Sequence, residues 1–218
     1  MIGLTGGIAS GKSTVTARLR ALGAFVADAD LVSREAVASP EVLSRIREAF
    51  GDSVIAADGT LDRLALAEKV FSSSAKTAQL DAITHPAIIK RLLELTGEAE
   101  KAGVYPLVFV DAALLIESGF NKYCDGVWLV TANRDVRIRR IMARDGLSYD
   151  DAVNRIDRQM SDEEKLPFAT TVIENDSTIE ELIKRVDEAF FEEAAGRRNG
   201  LPGKDDYFEE NGDAFTEE

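Results

Sequence analysis

Residues 1–14, Met-Ile-Gly-Leu-Thr-Gly-Gly-Ile-Ala-Ser-Gly-Lys-Ser-Thr, contain the spacing G-x-x-x-x-G-K-[ST] as Gly6, Gly11, Lys12 and Ser13, behind a short apolar segment. That spacing suits phosphate chemistry. A buried strand that turns sharply into a helix leaves backbone N–H groups pointing at an anion. Gly6 and Gly11 permit backbone angles and close approach that a side chain would block. Lys12 then reaches the β- and γ-phosphates of a nucleoside triphosphate, and Ser13 offers its hydroxyl to Mg²⁺. A glycine-rich turn with an incidental lysine is the competing reading. The strand pattern over residues 2–5 and the helix pattern over 13–22 argue against it.

Further chemistry sits at the ends of other apolar runs. Asp28-Ala29-Asp30 closes residues 24–27, and ligands of doubly wound sheets lie at the carboxyl ends of strands. One of these two carboxylates is expected to accept a proton from a substrate hydroxyl; Asp30 is equally suited to cap the following helix. Asp111 ends Leu-Val-Phe-Val-Asp, the form of a Walker B segment whose carboxylate holds Mg²⁺ directly or through water. Glu117 reads as a helix-surface acid, and His85, followed by Pro86, as a helix-breaking turn residue. Asn133-Arg134-Asp135 has the wrong spacing for a guanine-specifying motif, and no Asp-x-x-Gly follows Asp111. Arg134, Arg137, Arg139, Arg140 and Arg144 form a basic island interrupted by one acid, Asp135. They fit a lid that neutralises phosphate charge and excludes water, against the alternative of a solvated helix face.

The elements that must position these groups alternate. Strand patterns occupy residues 2–5, 24–27, 107–111, 126–131 and 170–174. Helical patterns occupy 13–22, 31–38, 41–50, 61–71, 75–101 (broken near His85), 134–144, 149–159 and 162–168. A last helix opens at a capping box over 178–181 and ends near 194. Apolar runs alternating with helices imply an α/β fold, a parallel sheet of about five strands covered on both faces. A core domain over residues 1–195 is expected, with a helical acceptor-binding insertion over about 31–103 and a lid over about 134–165. Residues 196–218 carry seven acids and scattered glycines, and read as a disordered tail without assigned function.

The net charge of −13 argues against a general nucleic-acid surface. No apolar run is long enough to span a bilayer. No signal peptide is read at the N-terminus, and the single Cys124 cannot form an internal disulfide. A cytoplasmic location follows as the default, with neither nucleic-acid nor membrane partners.

The ordered set of motifs resembles dephospho-coenzyme A kinases. It comprises Leu-Thr-Gly-Gly-Ile-Ala-Ser-Gly-Lys-Ser-Thr-Val (4–15), Asp-Ala-Asp (28–30), Gly-Thr-Leu-Asp-Arg (59–63), His-Pro (85–86), Leu-Leu-Ile-Glu (114–117), Arg-Asp-Gly-Leu-Ser (144–148) with Arg155 and Gln159, and Glu-Asn-Asp (174–176). The resemblance runs to about residue 190, with Ala112-Ala113 where the family has a proline before Leu-Leu. It implies a P-loop kinase fold and phosphorylation of the ribose 3′-hydroxyl of dephospho-coenzyme A by ATP, with Mg²⁺. By the same resemblance, Ala9, Ser10, Gly11, Lys12, Ser13 and Thr14 bind the ATP phosphates and Asn175 lies near the adenine. Asp30 faces the acceptor hydroxyl, with Asp28 and His85 on the acceptor side, and Arg140 contacts phosphates. Other small-acceptor kinases of the shikimate or nucleoside monophosphate type share the loop and lid; a regulatory NTP-binding protein would need neither the acceptor carboxylate nor the arginines.

Overall fold

The computed structural model describes residues 1–70 and 73–197. The expected tail therefore lies, from residue 198 on, outside the described residues, as does Phe71 at the end of the predicted helix 61–71. Five strands, β1 (Ile2–Gly6), β2 (Phe25–Asp28), β3 (Val108–Asp111), β4 (Gly126–Thr131) and β5 (Thr171–Glu174), form one sheet in the order β2-β3-β1-β4-β5. β1 runs parallel to both neighbours, with Leu4 opposite Asp111 on one side and Trp128 on the other. β4 in turn pairs parallel with β5. Every residue of β1 is buried, which is why its sequence, Ile-Gly-Leu-Thr-Gly, carries no charged residue on either face.

One face is covered by α1 (Lys12–Ala21) and α9 (Ile179–Gly196). Val15 and Leu19 meet Leu182, Val186 and Phe190 over Phe109 and Trp128 of the sheet, whose rings pack edge to face at 5.0 Å. Each such side chain removed from water contributes about 1.5–3 kcal/mol. Arg18 ties the two helices together by donating to both oxygens of Asp187, at 2.7 and 2.8 Å. A second cluster joins α6 (Arg134–Asp145) to α7 (Tyr149–Asp157) through Ile138, Ile141, Ala152 and Ile156, with Ile8 and Ala9 of the phosphate loop packed against it. α8 (Asp162–Lys165) follows, opened by a reciprocal capping box between Ser161 and Glu164. The predicted box at 178–181 is only half formed: Thr178 accepts from the Glu181 N–H at 3.3 Å, but the Glu181 carboxylate faces Arg185.

The chain divides into two compact units, Met1–Val26 with Ala99–Glu218, and Ala27–Glu98. The second contains α2 (Ala29–Val37), α3 (Pro40–Phe50), α4 (Arg63–Val70) and most of α5 (Ser74–Ala102), around Val37, Val42, Ile46, Phe50, Leu66 and Ile83. Here a sequence expectation fails. α5 is a single helix of 29 residues that passes through His85-Pro86. An interior proline costs about 3 kcal/mol, and the burial of Ile83 and Leu92 on either side of it offsets that loss. Among the described residues no helix is long and apolar enough to cross a membrane.

Candidate active site

β1 delivers the chain to the phosphate loop, and α1 begins at Lys12 with Gly11 as its N-cap. No side chain caps the helix; the Thr14 N–H bonds Gly11 O at 3.0 Å, and the N–H groups of Lys12 and Ser13 and the positive end of the dipole are left for an anion. Gly11 has φ +98°, and a Cβ there would lie 2.1 Å from Asn175 Nδ2. Gly7 has a different reason to be glycine: a Cβ would lie 2.2 Å from the Arg137 guanidinium. Ala9 is the one non-glycine with positive φ, +61°, among the described residues. Ser10 Oγ is buried without a hydrogen-bond partner in the protein, an orphan of the kind that a bound phosphate group satisfies.

The ladder register sets the next contact. Because Asp111 pairs opposite Leu4 at the end of β3, its carboxylate reaches α1. Lys12 Nζ donates to Asp111 Oδ1, and Thr16 Oγ1 donates to Oδ2 at 2.6 Å. β3 ends at Asp111; the Ala112 N–H makes one further bond along the ladder, to Leu4 O at 3.0 Å, before the turn that begins at Ala113, the family's proline position. Ala113 uses its carbonyl, to accept from Thr5 Oγ1 at 3.2 Å, a bond that a proline there would also allow. Ser13, next to Lys12 at the start of α1, is exposed. A serine hydroxyl and an aspartate carboxylate are both hard oxygen donors. That chemistry fits Mg²⁺, which takes one or two protein ligands and completes its shell with phosphate oxygens and water.

The expected arginine island separates by function. Arg134 pairs with Asp157 at 2.6 Å and Arg144 with Asp145 at 2.7 Å. Arg137 is buried, 5% exposed, and points under the loop: its Nε donates to Ile8 O at 2.9 Å and its Nη1 to Asp162 at 3.4 Å. Burial dominates at that pair, lowering the pKa of Arg137 and raising that of Asp162. Arg140 donates to Ala9 O at 3.2 Å and to Asn175 O and Oδ1 at 3.1 and 3.3 Å. Asn175, 6% exposed just beyond β5, donates to Ser10 O at 2.8 Å. It is thus a strut of the loop. Loop, Arg140, Arg144, Gln159 and Asn175 line an open cleft of about 770 Å³.

In the second unit, Asp28 and Asp30 diverge. The predicted strand 24–27 ends one residue later, at Asp28, which becomes the N-cap of α2 by accepting from the Leu31 N–H at 3.0 Å. Asp30 is therefore not the cap. It stands in the first turn of α2, its carboxylate unused by the helix. His85 lies on α5, 3.5 Å from Asp81 one turn earlier.

Glu117 corrects another expectation. It lies in the turn after β3, not on a helix, and stands 3.1 Å from Nζ of Lys165, which is 0% exposed. The contact is one of charge without hydrogen-bond alignment. Arg137, Gln159 and Lys165 were not singled out for these roles. The doubled glycine Gly6-Gly7, where the motif needs only the first, was the available signal for Arg137. Lys165 had none.

The sequence matches the family described as "Dephospho-CoA kinase" over residues 1–181. It is 48% identical over 190 residues to a dephospho-CoA kinase of Geobacter sulfurreducens, covering 86% of this chain and 95% of that protein. It is 45% identical over 187 residues to one of Corynebacterium jeikeium, covering 85% and 95%. The solved dephospho-CoA kinase of Campylobacter jejuni superposes with a TM-score of 0.71 at 28% identity, over 90% of this chain and 98% of that one.

Proposed function

The chain belongs to the dephospho-CoA kinase family, and from that membership we propose how its residues divide the reaction it catalyses, the ATP-dependent phosphorylation of dephospho-CoA that completes coenzyme A synthesis. The observation that carries the reading is the uncapped start of α1 beneath a cleft large enough for a nucleotide. Ala9, Ser10, Gly11, Lys12, Ser13 and Thr14 form the site for the ATP phosphates, which its free backbone N–H groups hold, with Lys12 exchanging Asp111 for the β/γ-oxygens. Asn175 borders the adenine. Arg140 contributes positive charge at the phosphates.

The acceptor is the ribose 3′-hydroxyl. Asp30 takes its proton as the oxygen forms the new bond to the γ-phosphorus and the bond to ADP breaks. Asp28 and His85 bind the acceptor. Ser13 and Asp111 would hold Mg²⁺, which when bound neutralises charge on the β- and γ-phosphates. Because the transition state is loose, positioning and charge neutralisation supply most of the rate. A cytoplasmic location goes with the lone thiol, for which the chain offers no disulfide partner. The test is ADP release from Mg²⁺-ATP with and without dephospho-CoA: stimulation is expected with that acceptor and not with shikimate or a nucleoside monophosphate, and no stimulation by it would overturn the reading.

A further inference from the structure

Three consecutive carbonyl groups of the phosphate loop are held by side chains from outside it. Arg137 Nε donates to Ile8 O at 2.9 Å, Arg140 Nη1 to Ala9 O at 3.2 Å, and Asn175 Nδ2 to Ser10 O at 2.8 Å. The Ile8 N–H is held as well, by Gln159 Oε1 at 2.7 Å. A trans peptide is planar, so a carbonyl fixed in one direction fixes the N–H of the next residue in the opposite one. Of the three N–H groups so directed, that of Ser10 closes a turn on Gly7 O at 3.0 Å. Those of Ala9 and Gly11 remain for an anion.

The strain in this arrangement is at Ala9. Its φ of +61° brings Cβ against a carbonyl oxygen, a conformation that glycine enters freely and alanine does not. Such a residue persists only where its surroundings over-determine it. Here they do: Ile8, immediately before it, is gripped by both of its backbone groups, and Arg140 takes the carbonyl of Ala9 itself. Gly7 belongs to the same device, since any side chain there would displace the Arg137 guanidinium.

We propose that Gln159 and Arg137, which lie outside the phosphate-binding motif, are positioning residues that clamp Ile8 and thereby hold the loop, with Ala9 strained, in its anion-binding shape. The inference rests on the reading that residues 9–14 bind the ATP phosphates. It makes nucleotide affinity a property of the segment carrying α6, α7 and α8 as much as of the loop.

The test is calorimetric ATP binding with steady-state kinetics. Gln159→Leu removes the acceptor of the Ile8 N–H at similar volume. It is expected to weaken ATP binding about tenfold, the scale of one well-placed hydrogen bond, while the KM for dephospho-CoA and the thermal midpoint stay near the parent values. Ala9→Gly added to that variant is expected to recover most of the affinity, because glycine needs no clamp to adopt the same φ. If Gln159→Leu does not fold, Gly7→Ala, which pushes Arg137 off Ile8 O, gives the same reading with the same Ala9→Gly partner. Unchanged ATP affinity in the single variant would overturn the proposal. So would a loss that Ala9→Gly does not recover, which would assign Gln159 to the nucleotide directly. Failure of the parent protein to bind ATP would instead refute the underlying functional reading.

Discussion

Lys12 Nζ rests on the carboxylate of Asp111, 99 residues further along the chain, whose other oxygen accepts from Thr16 Oγ1 at 2.6 Å. The pair crosses the β1–β3 seam, so the motif lysine is poised by the neighbouring strand and not by its own loop. A charged pair that is mostly out of water keeps both members ordered, and removing one leaves the other uncompensated. Lys12→Ala is therefore expected to lower turnover by about 10²–10³-fold, the usual loss when one preorganised electrostatic contact is deleted. Its thermal midpoint should fall as well, because Asp111 is left with a single hydroxyl partner. ADP release at saturating substrates and a melting curve check both; turnover within about threefold of the parent would refute the assignment of Lys12.

Asp28 and Asp30 stand in the same turn with different employment. Asp28 spends its carboxylate on the Leu31 N–H, whereas Asp30 is free of the helix. Asp28→Ala should cost about 1 kcal/mol of stability, the typical worth of an N-cap. Asp30→Asn should leave the melting midpoint near that of the parent and lower turnover by about 10²-fold or more. Asp28→Ser, which keeps a capping oxygen, separates the two roles. If it loses as much turnover as Asp30→Asn, the proton acceptor is Asp28.

The parts of this site that were legible in the sequence are those whose chemistry is local. The strand-loop-helix at residues 2–22 and the apolar run ending in Asp111 declare themselves because their residue types and their structural context are contiguous. What could not be read is what the fold brings together across long separations. Asn175 reaches Ser10 across 165 residues and Arg140 reaches Ala9 across 131; no periodicity records either contact. The five arginines looked alike in sequence because composition does not say which helix face is covered, and Arg137 turned out to be interior. At His85-Pro86 a local rule was overruled: the proline penalty is real, but burial of Ile83 and Leu92 is larger than the backbone preference that sequence reasoning weighed.

Glu117 and Lys165 form a charge pair that function does not obviously need. Lys165 is wholly enclosed and its Nζ has Glu117 Oε1 at 3.1 Å. Glu117→Leu strands a buried ammonium and should cost about 3 kcal/mol, the lower range for breaking a buried pair, since Glu117 retains some exposure. Lys165→Met should cost less, because the carboxylate left behind can reach water. The double variant should be more stable than Glu117→Leu alone. Denaturant unfolding of the three variants measures this; additive losses would show that the two side chains do not interact.

Cys124, in the connection before β4, offers a chemical clock. Its thiol pKa is pushed up to about 11, first by burial, with a smaller upward push from Asp125 against a lowering by the N-terminal ammonium. The thiolate is the reacting species, so at pH 8 the folded protein should react with a disulfide reagent roughly a hundredfold more slowly than the unfolded chain, whose thiol titrates about two pH units lower. The linkage has a definite sign. Unfolding releases the thiol proton anywhere between the two pKa values, so this group makes the folded state progressively less stable as pH rises from about 9 to 11. Replacing Cys124 by Ala should flatten that part of the stability–pH curve, and labelling kinetics at pH 8 in the presence and absence of denaturant give the rate ratio directly; equal rates would mean that the thiol is open to solvent in the native fold.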